Sequence, residues 1–507
     1  MVRGTGLAYA ASLQMLPGVC LAQNPVWSPD VANIVYTHCT GCHHPGTAAP
    51  FDLMCYQDAV TNSIAISEAV VLGHMPPWPA DPDYRHFANE NILAQGQIDA
   101  VANWVLQGTP FGDPLLEPDP PTFPSGGSML TTIDHVVAIP PYTLQSDLDE
   151  YRWFAIPTNF PDTVYVNAIE VLPGIDEVVH HVDISFDMTG NTMANDLQDP
   201  LPGFNGSTGQ PTYTFYMNAW QPGGDIVRYP QDWGIAVPPG ADFVLEIHYG
   251  PYHQGEVDST LLNLQFVTSA SNVRPVRVGW LLSQNPPGLV DGPFVLPANT
   301  IRTFHQEYTV PNNRSFISIC PHMHRLGRSY KVWYEYQGDS IPLIDIPWWD
   351  FHWQRYYTFQ YVQPIPAGAV IKSEGVYDNT VGNPVNPHNP PQNVYLGSTT
   401  EDEMFLCYFI WANYQVGDED VLMDSSLVAS VPSPTAPLAE LSVFPNPAQQ
   451  EVVVEGLDPQ ALVSVVDAEG RTVEVPRMGN RFDVRQLPNG LYAARTEQRS
   501  FRFVVQH

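Results

Sequence analysis

The stretch Phe243-Val244-Leu245-Glu246-Ile247-His248-Tyr249 is a short apolar run closed by Gly250, and it reads as one β-strand. Runs of the same kind recur from about residue 129 to 430: Val164-Tyr165-Val166, Phe316 to Ile319, Tyr330 to Tyr334 and Phe405 to Trp411. With 51 prolines and 36 glycines breaking up the chain, the expected fold is mainly β. About 300 residues of such strands suffice for two β-sandwiches. The full 507 residues exceed what one hydrophobic core can organise, so several domains are expected.

Outward from that centre the texture changes. Residues 25–115 carry helical patterning, with one helix opening at Asp30-Val31-Ala32-Asn33-Ile34-Val35 and another over Gln97 to Val105. A stiff, polar linker spans 116–128, from Glu117-Pro118-Asp119-Pro120-Pro121 through Gly126-Gly127. The β region then divides into domains over 129–275 and 276–430. A second linker over 431–437, Val431-Pro432-Ser433-Pro434-Thr435-Ala436-Pro437, precedes a β-patterned tail at 438–507 that suits a small sandwich.

Residues 1–22 read as an export leader. Arg3 precedes the apolar stretch Leu7 to Ala22, and Cys20-Leu21-Ala22 before Gln23 is an acceptable cleavage site. No later stretch approaches ~18 consecutive apolar residues, so no membrane span is expected. Acidic residues outnumber basic ones 53 to 20, giving a net charge of −33, and Lys331 and Lys372 are the only lysines. Such a surface repels phosphate, which excludes nucleic acid as a partner and argues against anionic lipid.

Cys39-Thr40-Gly41-Cys42-His43 has the CxxCH spacing of c-type haem attachment: two thiols add to the porphyrin vinyl groups and His43 ligates iron. A zinc half-site is the rival reading, but no second cysteine pair follows to complete it. The sixth iron ligand is expected to be Met75 in Gly73-His74-Met75-Pro76-Pro77-Trp78, with His74 as the rival. This segment resembles small bacterial cytochrome c domains with a Met-Pro-Pro-Trp loop. Those domains also carry stretches like His44-Pro45-Gly46 and Ala49-Pro50-Phe51 after the haem histidine.

Four pieces of the β region could ligate metal. They are His180-His181, then His248-Tyr249-Gly250, then His322-Met323-His324, then Asp402-Glu403-Met404. Neighbours on an ideal strand face opposite ways, so His180 and His181 can share one ion only at a strand end or bulge. His322 and His324 share a face and can chelate together. Met404 taken alone reads more readily as core than as ligand.

In that order, the four pieces resemble the copper type II, ascorbate-dependent monooxygenases, the family of peptidylglycine α-hydroxylating and dopamine β-monooxygenases. The resemblance covers roughly 130–430. It implies two jelly-roll-like β-sandwich domains with one copper ion each. His180, His181 and His248 would hold the electron-transfer copper, and His322, His324 and Met404 the copper that meets dioxygen. A thioether among the ligands favours Cu(I), the state that must react with O2. The implied reaction hydroxylates an activated C–H bond, with two electrons from ascorbate or from the fused haem domain.

Two departures bear on the substrate. The peptide-amidating members place an arginine two positions before His-x-His, where this chain has Cys320. They place an asparagine two positions after the methionine, where it has Leu406. Tyr408, four after the methionine, is retained and counts with His322, His324 and Met404 among the expected catalytic residues. A small molecule or peptide other than a C-terminal glycine peptide is the expected substrate.

Of the remaining cysteines, Cys320 and Cys407 invite a disulfide in an oxidising compartment, but strand parity opposes it, since the two lie on opposite faces. Cys55 reads as a free thiol. The tail, with Phe444-Pro445-Asn446-Pro447 and Asn489-Gly490-Leu491-Tyr492, looks like a type A sorting domain of the type IX secretion system. Its expected partner is the outer-membrane export machinery, and its expected location the cell surface or the medium. Two functions fit the whole: a secreted copper monooxygenase served by two copper ions and one covalently bound haem c, or a non-catalytic copper and haem electron-transfer protein.

Overall fold

The computed structural model describes residues 24–423 and 442–507. Short breaks fall at 46, 48, 124–127, 207–208, 210, 213–214, 223, 225 and 269–271, with a few more between 456 and 499. The expected leader over 1–22, Cys20 and the 431–437 linker lie outside the described residues. Strand makes up 39% and helix 12%, so the protein is mainly β. The chain divides into two compact units with the break after residue 426.

The helices gather near the N-terminus. Asp30–His38, Tyr56–Thr61, Ser63–Val71 and Gln95–Leu106 pack around Trp27, Val31, Val35, Leu53, Val70 and Trp104. Side chains cap two of them. Asp58 accepts the backbone N–H groups of Met54 and Cys55 at 3.0 and 3.1 Å, and Gln97 accepts that of Ala94 at 2.8 Å. Both helices anticipated from sequence are present. The expected linker is partly tied down, because Glu117 accepts the Trp27 indole N–H at 2.7 Å and Phe123 stacks on His44.

Two four-stranded sheets flank one nine-stranded sheet. The first comprises Glu150–Pro157, Asp242–Tyr249, Val179–Asp187 and Phe215–Trp220 in spatial order. The second comprises Thr300–Thr309, Val370–Asn379, Gly327–Tyr336 and Asp339–Ile346. The long sheet runs from His135–Ala138 through Leu261–Phe266, Val164–Leu172, Trp233–Val237, Arg274–Leu282, Leu406–Asn413 and Arg314–His322 to Tyr357–Ile365, with the ninth strand, Val227–Arg228, paired to Val164–Leu172 off this path. One core joins the first sheet to the long sheet and reaches Ile317, Val362, Ile410 and Ala412 in its second half, while a second core packs the other sheet on the opposite face of that half.

The halves are not separate sheets. Arg274–Leu282 pairs in parallel with Trp233–Val237 and antiparallel with Leu406–Asn413, so the boundary expected at 275/276 falls inside a strand. Alternation explains which side chains are left for other work. Val182, Ile184, Leu245 and Ile247 are wholly buried in the first core, each contributing about 1.5–3 kcal/mol. Their neighbours His181, Asp183, Glu246 and His248 therefore occupy the opposite face. In the same way Phe409 and Trp411 enter the second core while Tyr408 turns away from it.

The helical segment is knitted into this unit. Ala80 and Phe87 belong to the second core, and the Asp81 and Ala88 N–H groups donate to Asp345 and Thr358 carbonyls at 2.8 Å each. Arg85 donates to the Pro342 carbonyl and to Gln363 Oε1, both at 2.8 Å. The C-terminal unit, taken by itself, holds two four-stranded sheets around Val452, Val454, Phe482, Tyr492, Phe503 and Val505.

Candidate metal centre

Three imidazoles meet on the outer face of the first sheet. In the ladder, Val179 pairs with Tyr249 and His181 with His248, so His180 is an extra residue with no partner on the facing strand. This is the bulge that two adjacent histidines require in order to face one ion. The Nδ1 atoms of His180 and His181 lie 3.3 Å apart, and the ligating nitrogens of His180, His181 and His248 all fall within 4.8 Å of one another. A tetrahedron with bonds of about 2.0 Å has edges of about 3.3 Å, so the closest pair already stands at coordination spacing.

The surroundings orient these rings. His248 uses Nε2 on the Asp149 carboxylate at 2.9 Å, which leaves Nδ1 as its free nitrogen. That Nδ1 is buried with no hydrogen-bond partner. Tyr151, directly opposite on the neighbouring strand, stacks flat on the His248 ring with centroids 4.2 Å apart and planes 2° from parallel. Burial, reinforced by the nearby His180, pushes His248 down to about 3. Burial and the neighbouring imidazoles push His181 well below its ordinary value, and burial lowers His180. The three nitrogens are neutral at physiological pH, the protonation state a metal needs. The donor set fits copper: three imidazoles at one point, one of them a buried orphan.

The second set lies within electrostatic reach of the first. His322 ends the strand Arg314–His322, and His324 follows in the turn. Their rings are 5.1 Å apart and nearly perpendicular. Nδ1 of His324 bonds the Asp402 carbonyl at 3.0 Å, and the ring also meets the backbone of Thr399. Burial, with His324 and then His181 adding to it, pushes His322 down to about 3, so the two sets feel each other electrostatically. Glu403, wholly buried, fastens the pieces together. Its carboxylate accepts the backbone N–H groups of His324 at 2.9 Å, Leu326 at 2.6 Å and Met404 at 3.2 Å. Met404 is half-buried, and its carbonyl accepts the Tyr377 hydroxyl at 2.8 Å. Sequence reading passed over Glu403, whose role shows only once residues 77 to 79 positions away come together.

Tyr408 stands 6.4 Å from the His322 ring and 5.2 Å from Tyr216. It lines a cavity with Trp280, Trp153, Tyr216 and two carboxylates, Asp183 and Glu246, which face each other across adjacent strands. Burial pushes Asp183 up to about 6, and burial and Asp183 push Glu246 up to about 7. Tyr216 donates to Asp183 at 2.7 Å, and among the described residues neither carboxylate makes an ion pair. Cys320 is buried on the His322 face and within electrostatic reach of Asp183. The cavity's charge thus suits a cationic group rather than a carboxylate. Cys320 pairs with Tyr408 and Cys407 with Pro321, so the thiols point to opposite faces and both are free.

In the helical segment Cys39 and Cys42 are half-buried at and just past the end of the first helix, and neither is in a disulfide. His43 Nδ1 bonds the Phe51 carbonyl at 2.8 Å, which leaves Nε2 available, the arrangement an iron-ligating imidazole adopts. Met75 is half-buried just after the third helix, where its N–H donates to Ala69, and the rival His74 is exposed. Two thiols and a held imidazole fit a covalently attached haem. Cys55 is exposed.

Residues 442–506 match the secretion system C-terminal sorting domain. The chain is therefore exported through type IX secretion to the cell surface or the medium. Among the described residues no helix is long and apolar enough to cross a membrane. No curated protein matches the chain. Among solved structures, N-glycanase F (PNGase F) is 11% identical over 55% of this chain and 96% of its own, with a TM-score of 0.23. A second, PNGase F described as a glycosylasparaginase from Flavobacterium meningosepticum, is 10% identical over 56% and 97%, with a TM-score of 0.24. Likenesses that weak carry no argument about this protein's chemistry.

Proposed function

We propose that this exported protein is a copper-dependent monooxygenase. The observation that carries the reading is the convergence of His180, His181 and His248 at a bulge, within electrostatic reach of a second pair, His322 and His324. Neutral imidazoles gathered at one point, with a carboxylate on the far nitrogen of only one of them, serve little purpose in a fold other than ligation. In this reading the first set holds one copper and His322, His324 and Met404 hold another. Copper supplies the one-electron chemistry that dioxygen needs. The reaction converts C–H, O2, two electrons and two protons into C–OH and water.

The chain's own residues divide the remaining work. Asp149 and Tyr151 fix the His248 ring, Glu403 holds the His324 turn beside Met404, and Tyr408 walls the substrate cavity. Cys39, Cys42, His43 and Met75 would hold the haem of a small cytochrome c-like domain. Ascorbate or that haem supplies the electrons. The Asp183 and Glu246 carboxylates, with Cys320 in place of an arginine, favour a substrate bearing a positive charge near the oxidised carbon.

Metal analysis of protein matured with haem and reconstituted with copper tests the reading. Two coppers and one iron per chain, with oxygen uptake above background on a panel of amines, are the expected results. One iron and no tightly bound copper would overturn it. Full copper with oxygen uptake that stays at background on every substrate would instead favour a non-catalytic electron-transfer protein, the reading that the lost arginine and asparagine suggest.

A further inference from the structure

One segment touches all three candidate centres. Residues 347–356 connect the strand Asp339–Ile346 to the strand Tyr357–Ile365. Toward the second histidine set, the Trp349 indole N–H donates to the His324 carbonyl at 3.1 Å, and Phe351 packs edge-on to the His324 ring at 6.1 Å. Toward the first set, the His352 ring lies 6.3 Å from that of His180. Toward the haem-type domain, the Arg355 guanidinium sits over the Trp78 ring at 4.8 Å, and Trp78 packs edge-on against Tyr357 at 5.4 Å. Trp78 belongs to the Met75 loop.

The same loop is bound inside itself. Asp350 accepts the His352 backbone N–H at 2.9 Å and meets its Nδ1 at 3.0 Å. The hydrogen bond from His352 chiefly holds the Asp350 carboxyl low, with a smaller electrostatic contribution from His74 of the haem-type loop. His44, next to the CxxCH histidine, lies within electrostatic reach of Asp176, four residues before His180. The contacts at Ala80, Asp81, Arg85 and Phe87 dock the haem-type segment on the strands either side of residues 347–356.

We propose that residues 347–356 form the electron-transfer bridge of this protein, with Asp350 and His352 linking the haem-type domain to the His180–His181–His248 set. This rests on the monooxygenase reading and names the reductant of its first copper. Each transfer oxidises one ferrous iron to ferric and reduces one Cu(II) to Cu(I). Two transfers serve each C–H bond hydroxylated, and an external one-electron donor such as ascorbate restores the ferrous iron. His352 is a bridging residue and ligates neither metal.

Flash reduction of the haem tests this in the full-length protein loaded with Cu(II), with the ferrous haem absorbance and the Cu(II) paramagnetic resonance signal followed together. The expected result is a first-order return of ferric haem, independent of protein concentration and matched by loss of the Cu(II) signal. His352→Ala should keep both metal counts and lose that phase. Trp348→Ala, at an exposed position in the same loop, should leave it intact. A return that scales with protein concentration, or one unchanged in His352→Ala, overturns the bridge while leaving the monooxygenase reading standing. Failure to load copper at all overturns both.

Discussion

Replacing Glu403 removes the acceptor of three backbone N–H groups at once. Those of His324 and Leu326 are buried and that of Met404 is partly buried. Each buried donor left without a partner costs about 1–3 kcal/mol, so Glu403→Ala should destabilise the first unit by about 3–6 kcal/mol. Glu403→Gln is the informative comparison. Its amide keeps one acceptor oxygen but aims an NH2 at donors that need an acceptor, which should cost about 1–3 kcal/mol. Denaturant unfolding read on the first unit measures both. Because the same carboxylate ties the His324 turn to Met404, the Cu(I) affinity of that set should fall in Glu403→Gln while the His180 set keeps its own. If both variants unfold within 0.5 kcal/mol of the parent, about the scatter of ordinary surface changes, Glu403 does not anchor the site.

Four further outcomes follow from the geometry. With His248 and His322 held at about 3, copper affinity of the folded protein should stay flat from pH 7 to pH 5, whereas imidazoles at ~6.5 would lose about 2 kcal/mol each; competition titrations at the two pH values decide this. The sign for stability is opposite in kind: the unfolded chain takes up protons below ~6.5 while the native rings stay neutral, so the imidazoles lower apo-protein stability as pH falls from about 6.5 toward 3. Asp183 and Glu246, raised in the fold to about 6 and about 7, instead add stability over part of that range; a melting temperature that falls more steeply in Asp183→Asn than in the parent separates the two. Asp149→Asn should weaken copper binding at the first set by about 10–100-fold through loss of ring orientation, with the second set unaffected. Thiol titration should find Cys55 reactive in the native protein, and Cys320 and Cys407 only after unfolding; a mass that shows a disulfide between the last two would contradict the strand register.

Much of this was legible because local pattern and fold agree. Strand alternation around Phe243–Tyr249 and the helices at Asp30 and Gln97 follow from residue periodicity, which short-range sterics dictate. The demand for a bulge at His180 came from the same periodicity, since two adjacent ligands contradict a period of two. What stayed hidden depends on long-range pairing. No spacing in the chain announces that Asp183 faces Glu246, that Asp149 reaches His248, or that Glu403 gathers His324 and Leu326. Nor did residues 347–356 stand out, because Asp350 and His352 resemble any polar loop until the strands on either side carry them toward His180. The domain boundary was blurred for a related reason: a parallel pairing between Trp233–Val237 and Arg274–Leu282 leaves no composition signal.

That pairing has a mechanical consequence. Enzymes that close on a substrate commonly do so about a hinge, where a few linker residues absorb the rotation. Here the two halves share the rungs of one hydrogen-bonded ladder, and bending them apart would shear Arg274, Pro275 and Val276 from Trp233, Gly234 and Ile235. The spacing of the two halves is thus fixed, like the jaws of a locked caliper, and entry to the cavity beside Tyr408 falls to side chains such as half-exposed Trp280 in its wall.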